Sequence, residues 1–161
     1  MSGVGSDKTD RKPAGIEPAC VAAQPADAED VIALWTRCGL TRPWNDARAD
    51  FAFALAGPAS TVLLLKQGES IVAAAMTGHD GHRGAVYYLG VDPACQRQGL
   101  GRRMMDAVEA WLGARGIWKL NLLVRRENSA ATGFYGALGY GDQACIALGK
   151  RLDGRADRSV R

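Results

Sequence analysis

At 161 residues, with 47% apolar and 23% charged side chains, the chain has the size and proportions of a single soluble globular domain that buries an ordinary core without staples. Its net charge of +3 suits an acidic ligand but is too small to argue for nucleic acid. Cys20, Cys38, Cys95 and Cys145 lie far apart, with no CxxC pair and no His at metal-ligand spacing, which argues against a disulfide framework or a zinc site and for reduced thiols in the cytoplasm.

Residues 1–17 are rich in Gly, Ser, Pro and charge and lack the apolar core of a signal peptide, so a disordered lead is expected there. The domain is expected over 18–152, followed by a flexible tail, "DGRADRSVR", over 153–161. The longest apolar stretch, Phe51 to Leu65, is cut by Gly57, Pro58, Ser60 and Thr61, so no membrane span is expected.

The run Ala19 to Ala23 predicts a first strand. Asp27 is placed to cap a helix with the stripe Val31, Leu34, Trp35 and Cys38, which Gly39 stops. After "TRPWND", residues from Asp46 to Ala56 predict a second helix with Phe51 and Leu55 on one face. "STVLLLKQGESIVAAAMTG" reads as two strands joined at Gln67-Gly68, and "GAVYYLGV" as a fourth strand. From Leu100 the period becomes helical: Leu100, Met104, Ala107, Val108, Trp111 and Leu112 share a face, Arg102, Arg103, Asp106 and Glu109 look outward, and Gly116 ends the helix. "IWKLNLLV" predicts a strand, Asn128 or Ser129 opens a short helix through Leu138, and "DQACIALGKRL" predicts a last strand. This order describes a mixed α/β sheet with helices on both faces.

The turn "QRQGLGRR" before the long helix carries the chemistry. A helix begins with N–H groups that lack carbonyl partners, and with the macrodipole they form an anion site. Gly99 and Gly101 would let a phosphate approach these amides, with Arg97, Arg102 and Arg103 adding charge beside them. The plainer reading is a tight strand-to-helix turn. A P-loop is absent, and the third glycine of a dinucleotide fingerprint is replaced by Met104.

"Gln96-Arg-Gln-Gly-Leu-Gly" resembles the Q/R-x-x-G-x-G/A signature of the GNAT acyltransferases, which bind acetyl-CoA. Downstream, "Asn128-Ser-Ala-Ala-Thr-Gly-Phe-Tyr135-Gly-Ala-Leu-Gly139-Tyr140" resembles that family's N-x-x-A-x-x-x-Y-x-x-x-G-F, with Tyr140 in place of Phe. "LTRPWND", "DGHRG" and "LGKRL" further resemble a bacterial YpeA-like subgroup. The resemblance implies the GNAT fold, a mixed, mostly antiparallel sheet of about six or seven strands with helices on both faces and a splay between the fourth and fifth. It also implies an N-acetyltransferase that moves acetyl from acetyl-CoA directly to a small-molecule or peptide amine, with no metal. The alternative is a non-catalytic acyl-CoA sensor or interaction module of the same fold. Dimers recur in the family, so a homodimer is a candidate assembly.

The same resemblance assigns roles. Leu89, Gly90 and Val91 would line the splay, with Gly90 permitting a bulge and the Val91 N–H facing the acyl carbonyl. Gln96, Arg97, Gln98, Gly99, Leu100, Gly101, Arg102 and Arg103 would bind the cofactor, with its phosphates on the N–H groups of Gln98 to Arg103 and one of Arg97, Arg102 and Arg103 meeting the 3′-phosphate. Asn128 would lie near the pantetheine, or simply cap its helix. Tyr135 would protonate the departing thiolate, its phenol having an ordinary pKa near ~10.

His79, Asp80 and His82 border the splay and are candidate bases, with an ordinary loop role as the alternative. Tyr87 or Tyr88 could instead orient a water, and alternation lets one of them face the cleft; Glu127 is a distant candidate. Arg42 and Trp44 suggest an acceptor-side wall, or else a rigid turn.

Overall fold

The computed structural model describes residues 17–155. The expected lead before Glu17 and the end of the expected tail lie outside the described residues.

Five strands, β1 (Ala19–Ala22), β2 (Ser60–Gln67), β3 (Ser70–His79), β4 (Gly84–Val91) and β5 (Leu120–Asn121), form one sheet in the order β1-β2-β3-β4-β5. The first four pair antiparallel and β5 joins β4 in parallel. A parallel neighbour needs a crossover, which helix α3 (Leu100–Gly113) supplies. Helices α1 (Ala28–Arg37) and α2 (Ala47–Leu55) cover one face, while α3 and α4 (Ser129–Ala137) lie on the other.

The near-continuous apolar run of β2 is explained by burial on both sides. Val62 and Leu64 pack with Val31, Leu34 and Trp35 of α1, whereas Leu63 and Leu65 pack with Met104, Met105 and Val108 of α3. Each such buried side chain contributes about 1.5–3 kcal/mol.

The expected glycine stops are present at Gly39 and Gly116. After α3, the Ile117 N–H reaches back to Leu112 O at 3.1 Å and the Gly116 N–H to Gly113 O at 2.9 Å, a Schellman closure requiring the positive φ that Gly116 adopts. α4 ends the same way at Gly139, which returns Tyr140 over Tyr135.

Asp46 caps α2, its Oδ1 accepting the Arg48 and Ala49 N–H groups at 3.0 Å. Asp27 stands at the start of α1 but does not cap it. Its carboxylate accepts instead from the Gln24 N–H at 2.7 Å and Lys66 Nζ at 2.7 Å.

Two strand expectations are corrected. "IWKLNLLV" forms a strand only over Leu120–Asn121, and "DQACIALGKRL" forms none, so the sheet has five strands rather than six or seven. A strand exists only by pairing, and the two residues of β5 offer almost no edge. The segment after Gly141 is tethered instead by side chains: Lys119 Nζ donates to Gln143 Oε1 at 2.8 Å and Arg151 to Trp44 O at 3.2 Å. Ile146 and Leu148 stay exposed.

Candidate active site

β4 and β5 pair only at Gly84↔Leu120 and Ala85↔Asn121; beyond them the two chains part. The rest of β4 therefore has one edge without a strand neighbour. The Asp92 N–H bonds Val72 O at 2.9 Å, which makes Val91↔Ala73 a pair without mutual hydrogen bonds. In such a pair the N–H points away from the partner strand, so the Val91 amide is directed from β3 towards the opening.

The bulge lies earlier than Gly90. Ala74 faces Gly90 while Met76 faces Tyr87, which places the extra residue at Tyr88–Leu89, and Tyr88 has φ +52°. Gly90 serves a different need: a Cβ there would sit 3.0 Å from Cys38 Sγ and from Leu40 Cδ1, so its bareness lets the end of α1 close on the strand. The Cys38 thiol in turn donates to Val91 O at 3.3 Å.

The bulge also breaks the alternation expected of the two tyrosines, and both lie towards the α1/α2 face. Tyr88 stacks on Trp35 with centroids 4.4 Å apart, and its hydroxyl donates to Asp50 Oδ2 at 2.7 Å. Burial, and then Asp50, push its phenol up to about 12. Tyr87 remains 51% exposed and lines an open cleft.

Gly99, in the left-handed conformation at φ +79°, starts α3 and supplies no side-chain cap. The first intrahelical acceptor, Gly99 O, receives the Arg103 N–H at 3.1 Å. The amides of Leu100, Gly101 and Arg102 precede that bond and have no carbonyl partner within the helix. A Cβ on Gly99 would meet nothing within 4 Å, so the approach over this turn is open. An uncapped amino end with open space over it fits the diphosphate of a coenzyme A thioester. Gly101 has a second use, since a Cβ there would lie 3.1 Å from the Phe134 ring and 3.8 Å from Val91 Cγ2. Val91, the start of α3 and α4 thus meet at one place.

The arginines separate. Arg102 donates to Ala137 O at 3.1 Å, closing the end of α4, and Arg103 lies 3.4 Å from Glu17. Among the described residues, Arg97 alone of the three carries neither a hydrogen bond nor an ion pair; it is exposed, with φ +61°. Gln96 Nε2 reaches Val91 O at 3.5 Å, Gln98 is exposed, and Leu89 packs on the α3 side.

Asn128 caps α4, accepting the Ala131 N–H at 3.0 Å. Tyr135 is half-buried between Phe134 and Tyr140, at centroid distances of 5.0 and 5.8 Å, and burial raises its pKa. Its phenol therefore keeps its proton throughout the neutral range.

The candidate bases are held by their own loop. Asp80 Oδ1 accepts the His82 and Arg83 N–H groups at 2.8 and 2.7 Å, bonds that, Arg83 first, hold its carboxyl below the usual range. His79 Nδ1 accepts the Gly81 N–H at 3.1 Å, which uses its lone pair and leaves Nε2 as the protonated nitrogen of the neutral ring. Both line the cleft, and His82 does not.

Arg42 donates to Gly39 O and Thr41 O at 2.6 and 2.8 Å, so its guanidinium braces its own turn. Trp44 accepts Arg151 through its carbonyl, and neither residue lines the cleft. Asp50 does, although nothing in the sequence singles it out: an acidic residue in a first helical turn is ordinarily explained by the helix dipole.

The sequence pattern of the "Acetyltransferase (GNAT) family" matches residues 27–140. The chain belongs to the GNAT acetyltransferase family. As a GNAT protein it is an acyltransferase. It is 43% identical over 129 residues to an acetyltransferase of Yersinia enterocolitica, covering 80% of this chain and 92% of the relative. It is 44% identical over 126 residues to an acetyltransferase of Pectobacterium atrosepticum, covering 78% and 89%.

Among solved structures, the GNAT architecture is shared with AAC(6')-Iy in complex with the bisubstrate analogue CoA-S-monomethyl-acetylneamine, at TM-score 0.72 and 15% identity over 84% of this chain and 99% of that one. The ribosomal-protein-S18-alanine N-acetyltransferase of Escherichia coli aligns at TM-score 0.66 and 28% identity, covering 76% of each chain. No helix among the described residues is long and apolar enough to cross a membrane.

Proposed function

We propose that this GNAT protein is an N-acetyltransferase that takes acetyl from acetyl-CoA and delivers it directly to an amine. The observation that carries this reading is the uncapped start of α3 lying beside the Val91 edge of the β4–β5 opening. Acetyl-CoA, when bound, supplies the activated acyl group. The amides from Gln98 to Arg102 hold its diphosphate, the Arg103 N–H being taken by Gly99 O, and Arg97 adds an uncommitted positive charge beside them.

The Val91 N–H donates to the acyl carbonyl oxygen and stabilises the negative charge that gathers there. The amine nitrogen attacks the acyl carbon, the C–N bond forms and the C–S bond breaks. Tyr135 gives its proton to the departing sulfur, and the amine releases its own proton to water in the open cleft beside Tyr87. Burial of Tyr135 suits this role, because the donor must still be protonated when the thiolate leaves. Asn128 caps the start of α4, the helix that carries Tyr135.

Two measurements test this reading together. Isothermal titration with acetyl-CoA is expected to show binding that Gly99→Glu with Gly101→Glu abolishes, and an amine panel is expected to release free thiol from acetyl-CoA. Undiminished binding by the double variant would refute the α3 seat. Absence of thiol release with every amine would refute the transfer.

A further inference from the structure

On the α1/α2 face an open cleft of about 690 Å³ lies between α2, the end of β3, the start of β4 and the chain leaving β5. One part of its wall is apolar: Phe53, Met76, Tyr87, Leu122 and Leu123 line it. Phe53 is 83% and Leu123 72% exposed, and large apolar side chains left open around a concavity mark a binding groove.

The other part is acidic. Asp50 enters from the first turn of α2, where the Tyr88 hydroxyl fixes its Oδ2 at 2.7 Å and leaves Oδ1 available. No described cation lies within ion-pair distance of Asp50. Asp80 lines the same cleft with a carboxylate anchored by backbone amides. Arg83 also lines it, but its guanidinium stacks over Trp118 at 4.0 Å and donates to His82 O at 3.1 Å. Two other basic groups stand near: His79, whose Nδ1 accepts the Gly81 N–H, and Arg42, whose charge is felt at the Tyr88 phenol while its guanidinium donates to Gly39 O and Thr41 O.

We propose that this cleft receives the acceptor as a primary amine on an apolar stem, with the Asp50 carboxylate drawing in and holding its ammonium before deprotonation. The inference rests on the acetyl transfer assigned above. Asn121 to Leu123 line the cleft at the place where β5 has left β4, so the acceptor enters beside the splay. Tyr88, which fixes Asp50, stands three residues before Val91 on the same strand and ties the recognition group to the bulge. The stem lies against Met76, Leu122 and Leu123. An acceptor with a carboxylate next to its amine brings like charge towards Asp50 and Asp80 and is rejected.

Thiol release is measured with three probes: phenethylamine, phenylalanine, which adds a carboxylate, and ethanolamine, which lacks the apolar stem. The kcat/KM for phenethylamine is expected to exceed each of the others by about tenfold or more. Asp50→Asn keeps an oxygen to accept the Tyr88 hydroxyl but removes the charge. It is expected to raise KM for phenethylamine about tenfold while kcat and the acetyl-CoA dissociation constant change less than about twofold. Equal kcat/KM for the three probes, or an unchanged KM in Asp50→Asn, would overturn the inference.

If acetyl-CoA binds but no amine is acetylated, the transfer reading fails by itself. The cleft is then judged by amide NMR with phenethylamine alone. Shifts at Asp50, Met76 and Tyr87 that vanish in Asp50→Asn uphold the recognition site, and their absence in the wild-type chain overturns it.

Discussion

On the α3 face, Met104, Met105 and Val108 are wholly buried against the four antiparallel strands, whereas α4 buries none of its nine residues completely and the chain beyond Gly141 is exposed to Cys145 and further. The two regions contribute differently to the site. In the proposed reaction, the well-packed part supplies what must not move: the Val91 amide on β4 and the amino end of α3. To the same proposed reaction the lightly packed part supplies Asn128 and Tyr135. Regions with few buried apolar contacts open at low cost, so a rigid floor under a loosely held wall is what exchange of a large cosubstrate needs.

The largest expected effect tests the floor. Trp35 is fully buried and stacks on the strained Tyr88, so Trp35→Ala should lower unfolding stability by about 3–5 kcal/mol in urea titrations. Ile146→Ala and Leu148→Ala, at 86% and 92% exposure, should each stay within about 0.5 kcal/mol of the parent. Comparable losses at all three positions would erase the distinction between the regions.

Next in size is the wall's chemical role. Tyr135→Phe should reduce kcat by about a hundredfold while leaving the acetyl-CoA dissociation constant within about twofold, as stopped thiol-release assays and titration calorimetry would read. Loss of binding of the same size as the loss of rate would make Tyr135 a packing residue.

A smaller effect concerns where α3 and α4 meet. Gly101→Ala brings a methyl 3.1 Å from Phe134 and should cost about 1 kcal/mol in thermal melts, a loss that Phe134→Leu in the same chain reduces. No recovery would show that the crowding lies elsewhere.

The smallest is an acid effect. Lys66 Nζ, followed by the Gln24 N–H, holds the Asp27 carboxyl below its ordinary value. A depressed carboxyl adds stability above its unfolded pKa, about 3.9, that is lost as pH falls through the lower folded value. Asp27→Asn should therefore cost about 0.5–1 kcal/mol at neutral pH and flatten the decline of stability below about pH 4. A parallel acid decline in both chains would contradict this.

The same contrast explains what the sequence made legible. The helical stripe Val31, Leu34, Trp35 and the run "STVLLL" are local patterns whose partners lie in a complete core, so reading them gave the right elements. The glycine stops after α1 and α3 were equally local. "ACIAL" carries a strand-forming pattern too, but a strand needs a paired edge, and that information sits in β5, not in the segment itself. The bulge escaped for a related reason. Gly90 was the residue whose type suggested it, while the register places it at Tyr88, a residue held in an unfavourable φ by a stack and a hydrogen bond made across the fold. Asp50 shows the same limit, because its place in the cleft depends on β3, β4 and β5, none of which neighbours it in sequence.

The most direct measurement is an amide NMR titration of the protein with coenzyme A. The account predicts that the largest shifts fall on Gln98 to Arg103 and on Val91, with the β1–β2 edge unmoved. Saturable binding that leaves those amides in place would contradict it.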